Sequence, residues 1–257
     1  MDDVKVLRDV WLVFQRHMLL MLRSPLWVFL GVAQPVVYLA LFAPLLKPAL
    51  ASMDAGSMTA AYRIYVPGML VALALGAGLY TGFGLLAELA SGVVERARVT
   101  PVSRVALLLG RALRDVVALV VQAAIIILLS LPLGLFVRIQ DLLIAYALLA
   151  LITLTSAAFS YGIAIKISNA GTLGQLINNV AQPLMLLSGT LLPIALAPLW
   201  LRRVADWNPF SWAVTGMRAL FAGHPGQPEV WQSLAIMAGL TVLVLTWSAR
   251  QFARSIR

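Results

Sequence analysis

Cysteine is absent from this 257-residue chain, and charge is scarce. The first absence excludes disulfide staples and thiolate metal sites, and it says nothing about compartment. The second decides more. Asp, Glu, Lys and Arg make up 11% of the residues, whereas a soluble domain carries about 25%; 61% are hydrophobic, and the mean hydropathy is +0.93. A chain of this length could build a soluble core but lacks the charges to coat one, so the composition is that of a membrane protein.

Catalytic signatures are missing as well. No G-x-x-x-x-G-K-[ST] phosphate loop occurs, so ATP hydrolysis is not expected of this chain, and neither H-E-x-x-H nor a nucleophile elbow is present. The two histidines, His17 and His224, are isolated in sequence and flank no carboxylate cluster, so neither reads as a metal ligand. The glycine run Gly76, Gly78, Gly82 and Gly84 lies inside an apolar stretch, where it suits close helix packing better than a dinucleotide. The net charge of +9 comes from Lys and Arg placed between apolar runs, which points to loops and anionic headgroups rather than nucleic acid.

What is present is a series of windows free of Asp, Glu, Lys and Arg, each long enough to cross a bilayer as a helix. They predict spans over 26–46, 66–87, 112–137, 142–165, 176–192 and 230–249, the third with its charge-free window at 116–137. The fifth is the least regular, because Pro183, Pro193 and Pro198 interrupt a long apolar run. No signal peptide is expected. An even number of spans puts both termini on one side; that side collects thirteen Lys and Arg against six on the other, so the termini are expected in the cytoplasm. Ahead of the first span, Val4, Leu7, Trp11, Phe14, Met18 and Met21 recur every three or four residues among Lys5, Arg8, Gln15 and Arg16, which predicts an amphipathic helix over 4–24 lying in the interface. The fold class is therefore all-α: a polytopic membrane protein of six spans forming a single domain over 1–257.

Two segments between spans stand out. The stretch Leu85–Arg104 holds Glu88, Glu95, Arg96, Arg98 and Arg104; Ser91 can cap a short helix over 91–99, and Thr100 with Pro101 can start the next. A solvated loop whose charges set topology fits the same spacing. The segment 193–229 carries Leu199, Trp200, Trp207, Phe210, Trp212 and Phe221, too apolar for an ordinary loop, while its prolines and charges prevent one span. Two short re-entrant helices turning at Asn208 and Pro209 fit it, and so does an aromatic belt that anchors the loop. Within the spans, Gln34, Tyr38, Tyr80, Asn178, Asn179 and Gln182 are polar candidates for a pathway lining or for bonds between helices. Every Asp and Glu lies at or outside a window edge, which argues against an ion-coupled secondary transporter.

"PGM" at Pro67–Met69, "ELASGVVERARVTPVSRVALLLGR" at Glu88–Arg111 and "LLSGTLLPIALAPLWLRRVADWNPFSWAVTGMRAL" at Leu186–Leu220 together resemble the type-2 ABC exporter permease family, in order and over essentially the whole chain. The drug-exporter branch, typified by daunorubicin-resistance permeases, looks nearer than the polysaccharide branch. The resemblance implies an elbow helix at 4–24, and a coupling helix at 91–99 that docks on a separate ATPase through Glu88, Ser91, Gly92, Glu95, Arg96, Arg98, Thr100 and Pro101. It implies external helices with Trp207, Asn208, Pro209 and Phe210 at a gate. It also implies two ABC ATPase subunits carrying ATP and Mg, no cofactor on this chain, and a second permease copy or a related permease. A hydrophobic or amphipathic compound is the expected cargo, with a lipid-linked glycan or polysaccharide as the alternative.

Overall fold

The computed structural model describes residues 3–23, 58–90, 104–167, 169–190 and 194–254, together with scattered positions between 29 and 41. Among these residues every regular element is helical. In chain order they are α1 (Asp3–Leu22), α2 (Met58–Leu79), α3 (Thr81–Ala90), α4 (Arg104–Ser130), α5 (Ile139–Ala164), α6 (Ala170–Leu187), α7 (Leu199–Ala205), α8 (Pro209–Phe221) and α9 (Pro228–Arg254). Short 3-10 turns lie at Leu131–Leu133 and Ile194–Leu196.

Among the described residues, four helical stretches are long and apolar enough to cross a membrane: Ala61–Ala90, Leu109–Leu133, Ile139–Ala164 and Pro228–Gln251. The chain is an all-helical, multi-pass membrane protein. The span expected over 26–46 lies largely outside the described residues, although Phe29, Ala33, Val36, Val37, Tyr38, Ala40 and Leu41 are helical. The coupling segment 91–99 lies wholly outside them.

Helix limits differ from the charge-free windows for identifiable reasons. Helix α2 begins at Met58 rather than at 66, because the exposed Arg63 can extend its charged end away from the apolar surface without breaking the helix. The third span stops at Ser130, short of 137: Pro132 has no N–H to continue the ladder, and Gly134 reverses the chain at φ 87°. The helix expected over 176–192 runs from Ala170 to Leu187. Its start is fixed by Asn169, whose side-chain oxygen accepts from the amides of Gly171 (2.8 Å) and Thr172 (3.3 Å). It ends at Ser188, before Gly189 at φ 71°.

The second span is two helices rather than one, broken at Tyr80. The break leaves polar backbone groups that lipid could not satisfy. Ser160 of α5 satisfies two of them, donating to the Leu79 carbonyl and accepting from the Gly82 amide at 3.0 Å. Gly78 and Gly82 make this contact possible, since a Cβ on either would run into Ser156 or Ser160, whereas Gly76 and Gly84 face open space. Half of the glycine run thus serves packing.

Helices α2, α5, α8 and α9 enclose the core. Tyr65, Leu70 and Leu75 from α2, Leu148, Leu149 and Ile152 from α5, and Met217, Leu220 and Phe221 from α8 are fully buried. Thr155 and Thr241 join α5 to α9 by a hydroxyl–hydroxyl bond of 2.7 Å. Outside this core, α1 lies along α4. It buries Asp9 and His17 and exposes Leu7, Trp11, Leu12, Leu19 and Leu20.

Candidate functional site

Three polar constellations interrupt the apolar body: one at the α1 end of the molecule, one at the break in the second span, and one at the opposite, hairpin end.

At the α1 end, α3 delivers Glu88 just before the segment 91–99. Arg111 of α4 donates to one Glu88 oxygen, and Nδ1 of His17 on α1 stands 3.6 Å from the other. Arg111 Nε also approaches His17 Nε2 at 3.4 Å, so the imidazole acts as acceptor on that side. Burial and the neighbouring Arg111, Arg114 and Arg16 hold His17 down at about 4, so it is neutral at physiological pH. Its contact with Glu88 is therefore a polar contact, not an ion pair. One turn deeper, Arg114 pairs with Asp115, whose other oxygen accepts from the Tyr161 hydroxyl at 3.0 Å. Two neighbouring polar clusters thus tie α4 to α1 and α3 at one level and to α5 at the next. Gly110 allows the approach, because a Cβ there would come within 2.7 Å of the Val13 side chain.

At the span break, the Tyr80 hydroxyl donates to the Asn178 side-chain oxygen at 2.8 Å. Helix α6 buries Leu173, Ile177 and Ala181 and exposes Gln175, Asn178, Asn179 and Gln182. The outer face also exposes Leu176 and Leu186, but its four amide side chains reverse what lipid favours, so this part of it suits water, a ligand or another protein surface. Tyr38 is also exposed, and Gln34 lies outside the described residues.

At the hairpin end, α7 and α8 join through Trp207 and Asn208. Asn208 caps α8 by accepting from the Phe210 amide at 3.1 Å, and its amide group donates to the Leu184 carbonyl of α6 at 2.9 Å. Pro209 opens α8, where a missing N–H costs nothing. Phe210 is buried at 5% exposure, while Trp207 is 90% exposed.

Of the residues expected to couple to an ATPase, the structure therefore describes Glu88 alone; Ser91, Gly92, Glu95, Arg96, Arg98, Thr100 and Pro101 lie outside the described residues. Sequence reasoning missed its partners. Arg111 counted there as a topological charge and as the close of the Glu88–Arg111 block, and His17 as isolated; the signal that could have found them is the helical face shared by Asp9, Val13 and His17, opposite the Gly110-Arg111 pair. Among the described residues, no group of three His, Asp or Glu could hold a metal ion.

Comparison with known proteins decides the family. The model for ABC-2 type transporters matches residues 8–222. The chain belongs to the ABC-2 type transporter family. Among its relatives, the daunorubicin resistance ABC transporter permease protein DrrB1 of Streptomyces coeruleorubidus is 28% identical over 86% of this chain and 77% of its own length. The protein ycf38 of Porphyra purpurea and that of Cyanophora paradoxa, transport permeases by name, are each 24% identical over 75% of their own length and 85% and 84% of this chain. As an ABC-2 permease the chain is a transmembrane subunit, and ATP is hydrolysed by a separate ABC subunit with which it works.

Proposed function

We propose that this chain is the permease subunit of an ATP-driven exporter that moves a hydrophobic or amphipathic compound out of the cytoplasm or the inner leaflet. The observation that carries the reading is the inverted α6: an ABC-2 permease that presents Gln175, Asn178, Asn179 and Gln182 outward, with Tyr80 bonded to Asn178, has a polar wall but, among the described residues, no second wall of its own. A second permease, identical or related, supplies that wall, and the pathway runs between the two with Gln34, Tyr38, Tyr80, Asn178, Asn179 and Gln182 along it.

In this reading the α1 end faces the cytoplasm, as the distribution of Lys and Arg favours, and two ATPase subunits dock on the segment 91–99. Glu88 then sits where docking force enters. Because it is held by Arg111 and touches His17, a displacement of that segment moves α3, α4 and α1 together. ATP closes the ATPase pair, the spans alternate between inward and outward access, and the hairpin with Trp207, Asn208, Pro209 and Phe210 gates release. Such coupling requires nucleotide and cargo each to favour one of the two states. The drug-resistance relative supports a compound of drug-like character.

The test is transport into inside-out vesicles containing the permease and its ATPase, with daunorubicin, other amphipathic drugs and a lipid-linked glycan as separate arms. ATP-dependent uptake in a drug arm is the expected result. Uptake confined to the glycan arm reassigns the cargo, and uptake driven by a proton gradient without ATP overturns the proposal.

A further inference from the structure

Arg218, on α8, has no carboxylate partner within ion-pair distance among the described residues. Its guanidinium is turned instead on backbone: Nη2 donates to the Gly189 carbonyl at 2.7 Å, just past the end of α6, and Nε donates to the Ile64 carbonyl of α2 at 3.2 Å. Ile64 lies in the second turn of α2, beside the place where Pro67 withholds a ladder donor from the Arg63 carbonyl. Gly189 is the left-handed residue that ends α6.

Two other carbonyls near this helix end are also engaged. Leu184 accepts from the Ser188 amide at 3.0 Å and from the Asn208 side chain, and Met185 accepts from the hydroxyls of Ser188 (2.8 Å) and Thr190 (3.1 Å). Gly68 lies against the Thr190 backbone so closely that a Cβ there would collide with its carbonyl. The end of α6, the N-terminal part of α2 and the inner face of α8 therefore form one junction, and Arg218 is a side chain that spans all three.

We propose that Arg218 is a positioning residue: its planar fork clasps the ends of α2 and α6 to the hairpin, so that α8 moves only when the pathway helices move. The assignment of the hairpin as a gate is the reading given above, on which this one rests. Guanidinium is suited to the task, since it keeps its charge and offers rigidly spaced donors to two acceptors at once. An ammonium on a flexible stem offers one compact donor group and cannot hold both carbonyls in the same geometry. The apolar surroundings raise the cost of leaving either carbonyl unpaired.

The absence of native cysteine allows a direct test. Ser188→Cys places a thiol at a position 1% exposed, beside the clasped carbonyl, and Trp207→Cys gives an exposed reference on the same hairpin. N-ethylmaleimide labelling is followed in the permease–ATPase complex in nanodiscs, at rest and after trapping with ATP and vanadate. The parent Ser188→Cys protein is expected to label slowly at rest and at least tenfold faster when trapped. Adding Arg218→Met should give the fast rate in both conditions, with the Trp207→Cys rate unchanged; Arg218→Lys should fall between. An Arg218→Met protein that inserts normally and keeps the parent's slow resting rate overturns the clasp. If Arg218→Met does not insert, an inserted Arg218→Lys protein indistinguishable from the parent does the same. If the parent labels alike with and without nucleotide, the gate reading fails, and the clasp stands or falls on the resting rate alone.

Discussion

Arg111 and Arg218 sit at opposite ends of the molecule and solve different problems. Arg111 neutralises a carboxylate delivered by another helix, in a cluster joined only by side chains. Arg218 and Asn208 reach backbone carbonyls of other helices and of a helix end. A side-chain cluster can be re-partnered when a docking subunit brings its own charges, because none of the helices depends on it for its ladder. A carbonyl clasp ties the backbone of one helix to a side chain of another, so releasing it strips backbone acceptors of a bond in a poor solvent. On the proposed reading, the α1 end would receive the ATPase and the hairpin end would hold its shape until it is driven out of it.

The largest effect that sharpens this contrast belongs to the hairpin end. Phe210 is buried against the core, and Phe210→Ala should destabilise by about 3 to 5 kcal/mol, the usual range for a deleted core aromatic. Thermal unfolding of the detergent-solubilised protein reads this. A loss below about 1 kcal/mol would mean that α8 does not hold the core at this end.

Next comes the α1 end. Breaking a buried ion pair from one side costs about 3 to 5 kcal/mol because the remaining charge is stranded. The Glu88 side chain keeps 23% exposure, so water relieves part of that, and about 2 kcal/mol is expected for Arg111→Met. Adding Glu88→Gln should restore most of the stability without restoring ATPase-coupled transport. If the double variant transports normally, the cluster is structural only, and the contrast between the two ends disappears.

How much of this was legible follows the same division. Four of the expected spans, 66–87, 112–137, 142–165 and 230–249, recur as long apolar helices because lipid leaves a span no alternative to helix, and charge-free windows report that directly; helix limits drifted where one long side chain, Arg63, could extend outward or where a cap such as Asn169 fixed the start. Asn208 as the start of a helix was readable from its side chain and the following proline. The break at Tyr80 was not, because the group that makes it tolerable, Ser160, lies 78 residues away from the Gly82 amide that it satisfies. His17 and Arg218 were invisible for the same reason: what they touch comes from other helices, and a single sequence does not say which helices are neighbours.

A smaller effect concerns pH. His17 in the folded chain is held at about 4, below its ordinary 6.5, so between those values the unfolded chain binds the proton more readily. The stability gained by keeping His17 neutral is complete above about pH 6.5 and is lost progressively as pH falls towards 4. His17→Gln removes this titration, so the midpoint of unfolding should fall less steeply over that window in the variant than in the parent. Equal slopes would show that His17 is not confined between Arg111 and Glu88. No comparable histidine marks the hairpin junction, whose described bonds are made by Arg218, Asn208 and hydroxyls to carbonyls.

The smallest stability effect is the most informative about function. Trp207 is 90% exposed, and a surface side chain that touches little contributes within about 0.5 kcal/mol, so Trp207→Ala should unfold at nearly the parent's temperature. Its neighbour Phe210 differs by three positions and by several kcal/mol, so a transport defect in Phe210→Ala alone cannot separate gating from misfolding. Trp207→Ala can. If the hairpin gates release, the variant should insert, bind the ATPase and keep its stability, yet export more slowly. If the indole only anchors the loop among lipid headgroups, Trp207→Tyr should behave as the parent does and Trp207→Ala should lose membrane insertion rather than transport rate. A Trp207→Ala protein with unchanged insertion, stability and transport would leave the exposed indole without a role at this end, and the clasp beneath it would then be the hairpin's remaining link to the pathway helices.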